Sequence, residues 1–318
     1  MVPPVDYLIG TRIIHFASSI ILGGGAIFGA AIANPALRPN SGLSSHVIAE
    51  KQLNWLLLAA LAVAISSGFL WLCILAAQLS QNSLSEAIGE GTVWSVLSDT
   101  QFGRVSELRF VFGMILAVIL IRAVIVQARL SNPLFLVLAL IGAAFVAALA
   151  WCGHAGAGLG FRGKMQVGND VVHLVTSAMW VGGLIPLLLF IRPGLQVTFD
   201  ERLRLVRQFS HVATLAVLLL AATGVVNTWF MTNGFQGIFT TTYGNLILVK
   251  IALFVIMLGF ATANRFWLTP RLSFSNTRKP NAPRVLCLFT TTELVLGLSV
   301  IAVVGILGQL EPAGHMHH

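Results

Sequence analysis

The sequence predicts an all-α polytopic membrane protein with eight transmembrane helices, and three observations carry this prediction. Hydrophobic residues make up 57% of the 318 residues and charged residues only 9%, whereas a soluble domain carries about 25% charge. The mean hydropathy is correspondingly high, at +0.88. The apolar residues are collected into long runs, and basic residues stand in the gaps between them.

Each apolar run is long enough to cross the hydrocarbon core, which needs a helix of roughly 20 residues. Runs of this length exclude a β-barrel, because its strands need only about 10 alternating residues. The fourth run is separated from the third by only three residues, Ser131 to Pro133. The predicted spans cover residues 8–33, 53–79, 105–128, 133–151, 168–191, 209–231, 246–264 and 286–308.

The basic residues predict the orientation of these spans. Of the 19 lysines and arginines, thirteen lie in gaps on one side, three lie in gaps on the other side and three lie inside helices. The positive-inside rule places the basic side in the cytoplasm, so both termini are expected in the periplasm. The net charge of +8 is then explained by helix flanks that face an anionic leaflet, and nucleic-acid binding is not expected.

The two halves of the chain resemble each other. Two units of four helices, an even number, point the same way, so the likeness predicts two parallel repeats in a single transmembrane domain, related by a pseudo-two-fold axis along the membrane normal. The repeats cover about 8–151 and 168–308, and residues 309–318 form a tail. The matching positions are His15 and His173, Ser19 and Ser177, Gly24 and Gly182, Ser67-Gly68 and Thr223-Gly224, Thr100 to Gly103 and Thr241 to Gly244, and Arg109 and Lys250.

Three histidines are predicted to converge near the outer face. His15 and His173 lie early in the first and fifth spans, and His154 follows the end of the fourth. Ionisable groups at membrane depth usually face the bundle interior, and imidazole is a common ligand of copper, zinc and iron. A single buried histidine more often bonds to a neighbouring helix, but the matched positions favour a three-histidine metal site.

Sulfur side chains near these histidines could supplement the site, since thiolates and thioethers select Cu(I). The candidates are Cys152, Met165 and Met179. The tail adds His315, Met316 and His317, which form either a native metal-binding tract or the remnant of a tag.

Four charged residues are predicted as partners of the site. Asp170, one turn before His173, could orient the imidazole or act as a helix N-terminal acid. Arg109 and Lys250 could balance acids or extend to the interface. Glu293, the deepest acid, could relay protons or ions, or pair with Arg265.

Several function classes are not expected. The chain has no GxxxxGK[ST] nucleotide-binding motif and no HExxH zinc-protease motif, and we predict no enzymatic activity. Three cysteines without a CxxC motif make a disulfide framework unlikely to be the basis of the fold. The N-terminus lacks a basic start and a small-residue cleavage site, so the first span is expected to be retained.

The second half of the chain resembles the copper resistance protein D (CopD) family of bacterial inner-membrane proteins. The resemblance covers about residues 150–312 and is looser before them. It rests on the order and spacing of Asp170 to His173, Trp180 to Gly183, Arg207 to Ser210, Ala222 to Gly224, Asn227, Tyr243-Gly244, Lys250, Asn264-Arg265, Pro270, Glu293, Gly297, Gly305 and Leu307 to Pro312.

This resemblance implies an eight-helix inner-membrane protein that imports copper, as Cu(I) or Cu(II), often beside a periplasmic copper-binding protein (CopC). His173 and Trp180 match the family positions, and His154 matches through its Gly-His context. Two alternatives stand beside import. Two histidines facing one axis could ligate a b-type haem for electron transfer, or the protein could load copper without transporting it.

Overall fold

The computed structural model describes residues 2–37, 43–126, 132–153, 156, 158, 160–192, 197–232, 236–269 and 282–310. This part of the chain is helical and contains no strand. Eight of its helices are long and apolar enough to cross a membrane, which confirms the predicted number of spans. The spans are α1 (Val5–Ala36), α2 (with its spanning part Ile48–Ser80), α5 (Gln101–Ile125), α6 (Pro133–Cys152), α7 (Gly160–Ile191), α8 (Phe199–Met231), α9 (Thr242–Leu268) and α10 (Arg284–Leu307).

Two short helices that the hydropathy did not predict connect α2 to α5. These are α3 (Leu84–Gly89) and α4 (Thr92–Asp99). Ser83 starts α3 with a capping box, in which its hydroxyl accepts a hydrogen bond from the Glu86 amide and its own amide donates to the Glu86 carboxylate. The hydrogen bond from the Ser83 amide holds the pKa of Glu86 below its usual range.

The start of α1 and the end of α10 lie on one face of the bundle, because eight spans bring the chain back to the side on which α1 began. We call this side the terminal face, and the opposite side, which carries most of the arginines, the basic face. Arg12 of α1 donates to the Gly308 carbonyl after α10, at 2.8 Å. A cation is stabilised at this position because the end of a helix presents unpaired carbonyl groups.

The starts of α5 and α9 are built alike. Thr100 and Thr241 each accept a hydrogen bond from the amide of a glycine three residues later, both at 3.0 Å. The glycines are required by close approach, since a Cβ at Gly103 would overlap the Leu97 carbonyl oxygen and one at Gly244 would overlap the Gly237 carbonyl oxygen. The sequence likeness between these two segments therefore corresponds to the same local structure.

The centre of the bundle is the crossing of α1 with α7. A Cβ at Gly24 would overlap the Ala178 carbonyl oxygen, and a Cβ at Gly182 would overlap the Ile20 carbonyl oxygen. The contact is reciprocal, and small residues are what allow two membrane helices to approach so closely. The buried side chains of Leu22, Phe28, Trp180 and Phe190 surround this crossing in the main core.

We expect Gly24→Ala to destabilise the protein by about 1–3 kcal/mol, because an overpacked core forces the backbones apart. The measurement is the thermal unfolding midpoint of the detergent-solubilised protein. Gly10→Ala is the matched control, since Gly10 lies in the same helix and nothing is within 4 Å of its Cβ position. An equal midpoint for the two variants would contradict this account of the crossing.

Candidate functional site

His15 lies between α1, α2 and α5 and is only 4% exposed. Its Nδ1 is 2.9 Å from the Ala64 carbonyl oxygen and 3.1 Å from the Ser67 hydroxyl. Because a carbonyl can only accept, Nδ1 carries the proton and Nε2 is the acceptor. Arg109 donates to that Nε2 at 2.7 Å. Both ring nitrogens are therefore engaged within the protein.

Arg109 is 6% exposed and is held by several partners besides His15. Its second terminal nitrogen donates to the Ser19 hydroxyl at 2.9 Å, and its guanidinium lies 4.2 Å from the ring centre of Phe145. The Cys152 thiol is also within interaction distance of this guanidinium. A charge this deep needs such partners, and Arg109 thus closes the His15 site at Nε2.

His173 on α7 has a different environment. Its Nδ1 is 2.9 Å from the Thr223 hydroxyl of α8. That hydroxyl donates its own hydrogen to the Leu219 carbonyl at 2.6 Å, so it accepts from the ring and Nδ1 again carries the proton. Thr223 is the hydrogen-bond partner that the described part of the chain gives this ring, and no residue within that part engages the lone pair of Nε2.

An amide network joins α7 to α8 beside His173. Asn169 donates to the Thr223 carbonyl at 3.0 Å and to the Asn227 side chain at 2.7 Å. Asn227 in turn donates to the Asp170 carboxylate at 2.6 Å. The hydrogen bond of Asp170 is thus with Asn227 and not with the imidazole, and Asp170 lies ten residues into α7 rather than at its N-terminus.

Lys250 on α9 is the cation of the second cluster, which consists of the residues just described: His173, Thr223, Asn169, Asn227 and Asp170. It interacts electrostatically with the Asp170 carboxylate and with His173. The role of Lys250 in balancing an acid stays a prediction. Unlike Arg109, Lys250 has no hydrogen bond to the histidine of its cluster among the described residues.

The remaining predicted ligands are placed as follows. Cys152 is half-buried beside Arg109, Met179 is partly buried against the main core, and Met165 is 55% exposed. In the described ranges, no group of three His, Cys, Asp or Glu side chains could hold a metal ion. The three-histidine site stays a prediction, because His154 lies outside the described residues, as do His315, Met316 and His317.

Glu293 pairs with a different residue from the one considered in the sequence. It is 3% exposed and accepts a hydrogen bond from Asn264. Arg265 instead bonds to Ser210 and Thr214 of α8. The pairing of Glu293 with Arg265 is therefore wrong.

Four residues beside the two histidines were not predicted to belong to a site, namely Ser67, Thr223, Asn169 and Asn227. The first two carried a signal, since the repeat matched Ser67-Gly68 with Thr223-Gly224. In the structure, both hydroxyls contact the histidine of their own half, and His15 and His173 lie beside Gly68 and Gly224. The two asparagines had no counterpart in the first half that could have singled them out.

Comparison with known proteins decides the family. The N-terminal domain of copper resistance protein D-like proteins matches residues 4–164, and copper resistance protein D matches residues 203–307. The chain belongs to the copper resistance protein D family. The resemblance seen in the sequence is thereby confirmed, and it extends into the first half, where it had been weaker.

CopD relatives are similar to this chain over different lengths. Inner membrane protein YebZ of Escherichia coli (strain K12) is 29% identical over 308 residues, 96% of this chain and 98% of the relative. Copper resistance protein D of Pseudomonas syringae pv. tomato is 32% identical over 60% of this chain and 64% of the relative. Copper transport protein CutJ of Bacillus subtilis (strain 168) is 30% identical over 45% of this chain and 26% of the relative.

No solved structure gives a significant match. The family names and the eight apolar helices support a multi-pass inner-membrane protein of a copper-handling family.

Arg109→Ala is expected to destabilise this CopD protein by about 1–3 kcal/mol, the cost of leaving a buried acceptor such as His15 Nε2 without a partner. Thermal unfolding in detergent measures the change. Arg104→Ala is the control, because Arg104 lies in the same helix with its side chain exposed. Unfolding midpoints that fall equally in both variants would show that Arg109 does not hold the His15 site.

Proposed function

We propose that this protein imports copper across the bacterial inner membrane and that Nε2 of His173 receives the ion on the periplasmic side. Membership in the CopD family supports copper as the substrate. The observation that carries the proposal is the arrangement of the His173 ring, with Nδ1 donating to Thr223 and Nε2 open.

The geometry at His173 is the one that metal-binding histidines usually have. Such a histidine donates its second ring nitrogen to an oxygen of the protein, which fixes the tautomer and aims the lone pair. Thr223 supplies that oxygen. The Thr223 hydroxyl donates its hydrogen to the Leu219 carbonyl, so it can only accept from the imidazole. The ring proton is therefore on Nδ1, and Nε2 is unprotonated.

The two histidines therefore have different roles in the proposal. His173 is the receiving ligand, with His154, Cys152 and Met179 as the proposed further ligands along the path. His15 joins them only when Arg109 withdraws from its Nε2, because a nitrogen that accepts a hydrogen bond has no lone pair for a metal. Imidazole with thiol and thioether sulfur is a set that suits Cu(I).

Copper reaches this region, in the proposal, from a partly open cavity of about 300 Å³ on the terminal face. The cavity lies between the starts of α5 and α7 and the end of α6, and it extends to within about one and a half turns of His173. Its lining includes Gln101, Trp151, Gly156, Lys164, Val167 and Gly168. A periplasmic CopC-like protein is the proposed copper donor at this opening.

The pseudo-two-fold relation between the halves belongs to the proposal as well. Three features support it: the reciprocal contact of Gly24 with Gly182, the matching hydroxyl contacts of the two histidines, and the matching helix starts at Thr100 and Thr241. In transporters with parallel repeats, the substrate passes along the interface between the repeats. The α1–α7 crossing is the corresponding interface here.

The orientation follows from the basic face, which we propose is cytoplasmic. Arg204 on this face donates to the Ala36 carbonyl at the end of α1, at 3.0 Å, and Arg192 donates to Gln52 at 2.9 Å. Arginine-rich ends of this kind remain on the cytoplasmic side during insertion. A C-terminal alkaline phosphatase fusion, active only outside the cytoplasm, should be active; an inactive fusion would contradict periplasmic termini.

The haem alternative finds no support in the geometry. A b-type haem held by His15 and His173 requires a free nitrogen on both rings. His15 has none, since Ala64 and Arg109 occupy its two nitrogens.

We expect His173→Ala to abolish copper uptake into sealed proteoliposomes. Thr223→Val should lower copper affinity about 10- to 100-fold, the usual effect of removing the oxygen that orients a metal-binding histidine. His211→Ala is the control, because His211 is an exposed histidine of α8 toward the basic face. Uptake and equilibrium titration with copper are measured for each variant.

Two outcomes would count against import. Equal copper affinities of the His173→Ala and His211→Ala variants would exclude His173 as the ligand. Tight copper binding by the wild-type protein without any uptake would favour a copper-loading accessory instead.

A further inference from the structure

Three polar side chains from α7, α9 and α10 meet between the α1–α7 crossing and the basic face. Glu293 is 3% exposed and Trp180 is 1% exposed. The Asn264 side chain donates its amide hydrogen to the Glu293 carboxyl. Glu293 lies nine residues from the start of α10 at Arg284, which at 1.5 Å per residue places it roughly 14 Å along the helix, deep in the hydrocarbon.

Two atoms of this cluster have no hydrogen-bond partner within the described ranges. The Asn264 Oδ1 is buried and unpaired, and so is Nε1 of Trp180, which lies close to the Glu293 carboxyl without reaching hydrogen-bond geometry. Buried polar atoms are almost always paired, so each exception needs a physical explanation. The unpaired Oδ1 is an acceptor and therefore requires a hydrogen donor.

No described cation faces the Glu293 carboxyl. Arg265, the nearest in sequence on α9, points to α8 through Ser210 and Thr214. On α10 itself, Cys287 contacts the Ile191 carbonyl, and Arg12 of α1 is bound at the opposite end of α10. The side chain of α7 that lies near the Glu293 carboxyl is Trp180, which is uncharged. An ionised carboxylate here would cost several kcal/mol, since no opposite charge offsets its desolvation.

We propose that Glu293 and Asn264 form a proton-binding site and that protons are the coupling ion of copper import. With the proton on Glu293, the carboxyl O–H donates to the Asn264 Oδ1 while the Asn264 amide donates back to the carboxyl. This two-hydrogen-bond ring satisfies the atom that is otherwise unpaired. The coupling part of the inference rests on the proposed function; the proton site does not.

The helix geometry around the site supports a functional role. Trp180 lies in a π-helical turn, Ala178–Gly182, and Asn264 begins another, Asn264–Leu268. Such wide turns occur mostly at functional positions in helices. The first of them also contains Gly182 of the α1–α7 crossing, so a change at the crossing moves Trp180 relative to Glu293.

In the proposal, copper and a proton exchange at the Glu293 carboxyl in two steps. When copper arrives from the terminal face, the O–H bond of Glu293 breaks, the proton leaves toward water at the terminal face, and the copper cation becomes the counter-charge of the carboxylate. When copper leaves toward the basic face, the carboxylate takes up a proton from the basic face. No electron is transferred. Copper and protons therefore move in opposite directions.

Infrared spectroscopy of the purified protein in lipid tests the proton site. The wild-type protein should show the C=O stretch of a protonated carboxyl group at neutral pH. Glu293→Gln should remove this band, and its amide can replace the acid in the ring with Asn264, so the fold is preserved. Glu107→Gln, at an exposed position of α5, should leave the band unchanged. A wild-type protein without the band has no such site.

Proteoliposomes with a pH-sensitive dye inside test the coupling. Added copper salt should raise the internal pH with the wild-type protein and with Glu107→Gln, but not with Glu293→Gln, whose copper affinity at His173 should be unchanged. Copper uptake without a pH change would overturn proton coupling and leave import standing. Absence of copper uptake with the infrared band present would overturn import and coupling together, while the proton site would be supported.

Discussion

The structure of this protein depends on one constraint, that an imidazole N–H inside a membrane has to find its acceptor within the protein. Both His15 and His173 meet it in the same way, by donating Nδ1–H to an oxygen of the following helix of their own half. In lipid there is no water to take that role. The choice of tautomer is therefore made by the packing of helices, and it leaves Nε2 as the unprotonated nitrogen in both halves.

The two halves differ in whether Nε2 of the histidine has a hydrogen-bond partner among the described residues. The planar guanidinium of Arg109 reaches His15, Ser19 and Phe145 at once, as its fixed fork of donors allows. Lys250 is a compact charge that interacts electrostatically with Asp170 and His173, and among the described residues it donates no hydrogen bond to the ring. This difference at matching positions accompanies the difference between the two histidines among the described residues, and it gives a physical reason for the different roles that we propose for them.

Much of the fold could be predicted from the sequence because lipid imposes length and apolarity on each span. Hydropathy found all eight spans, including α6 after its short connection, but it missed α3 and α4, which are too short and too polar to carry such a signal. The repeat predicted that Ser67 and Thr223 correspond, and their hydroxyls contact matching histidines. The correspondence of Gly103 with Gly244 was predicted in the same way, but their part in the helix starts was not.

The chemistry of the site was less predictable, because adjacent residues on a helix point about 100° apart. Asn264 and Arg265 are neighbours in sequence, yet one contacts Glu293 and the other contacts α8. Likewise, residue types alone could not show that Asp170 would be held by Asn227 rather than by His173. Such directions are decided by packing between helices that are distant in sequence.

The central claim is that Nε2 of His173 is unprotonated and binds copper. Nitrogen-15 solid-state NMR of histidine-labelled protein in lipid, assigned with the His173→Ala variant, measures it directly. The account predicts a His173 ring protonated at Nδ1, whose Nε2 resonance shifts or broadens when copper is added while that of His15 stays in place. A His173 ring protonated at Nε2, or a His15 resonance that responds in its stead, would contradict the account.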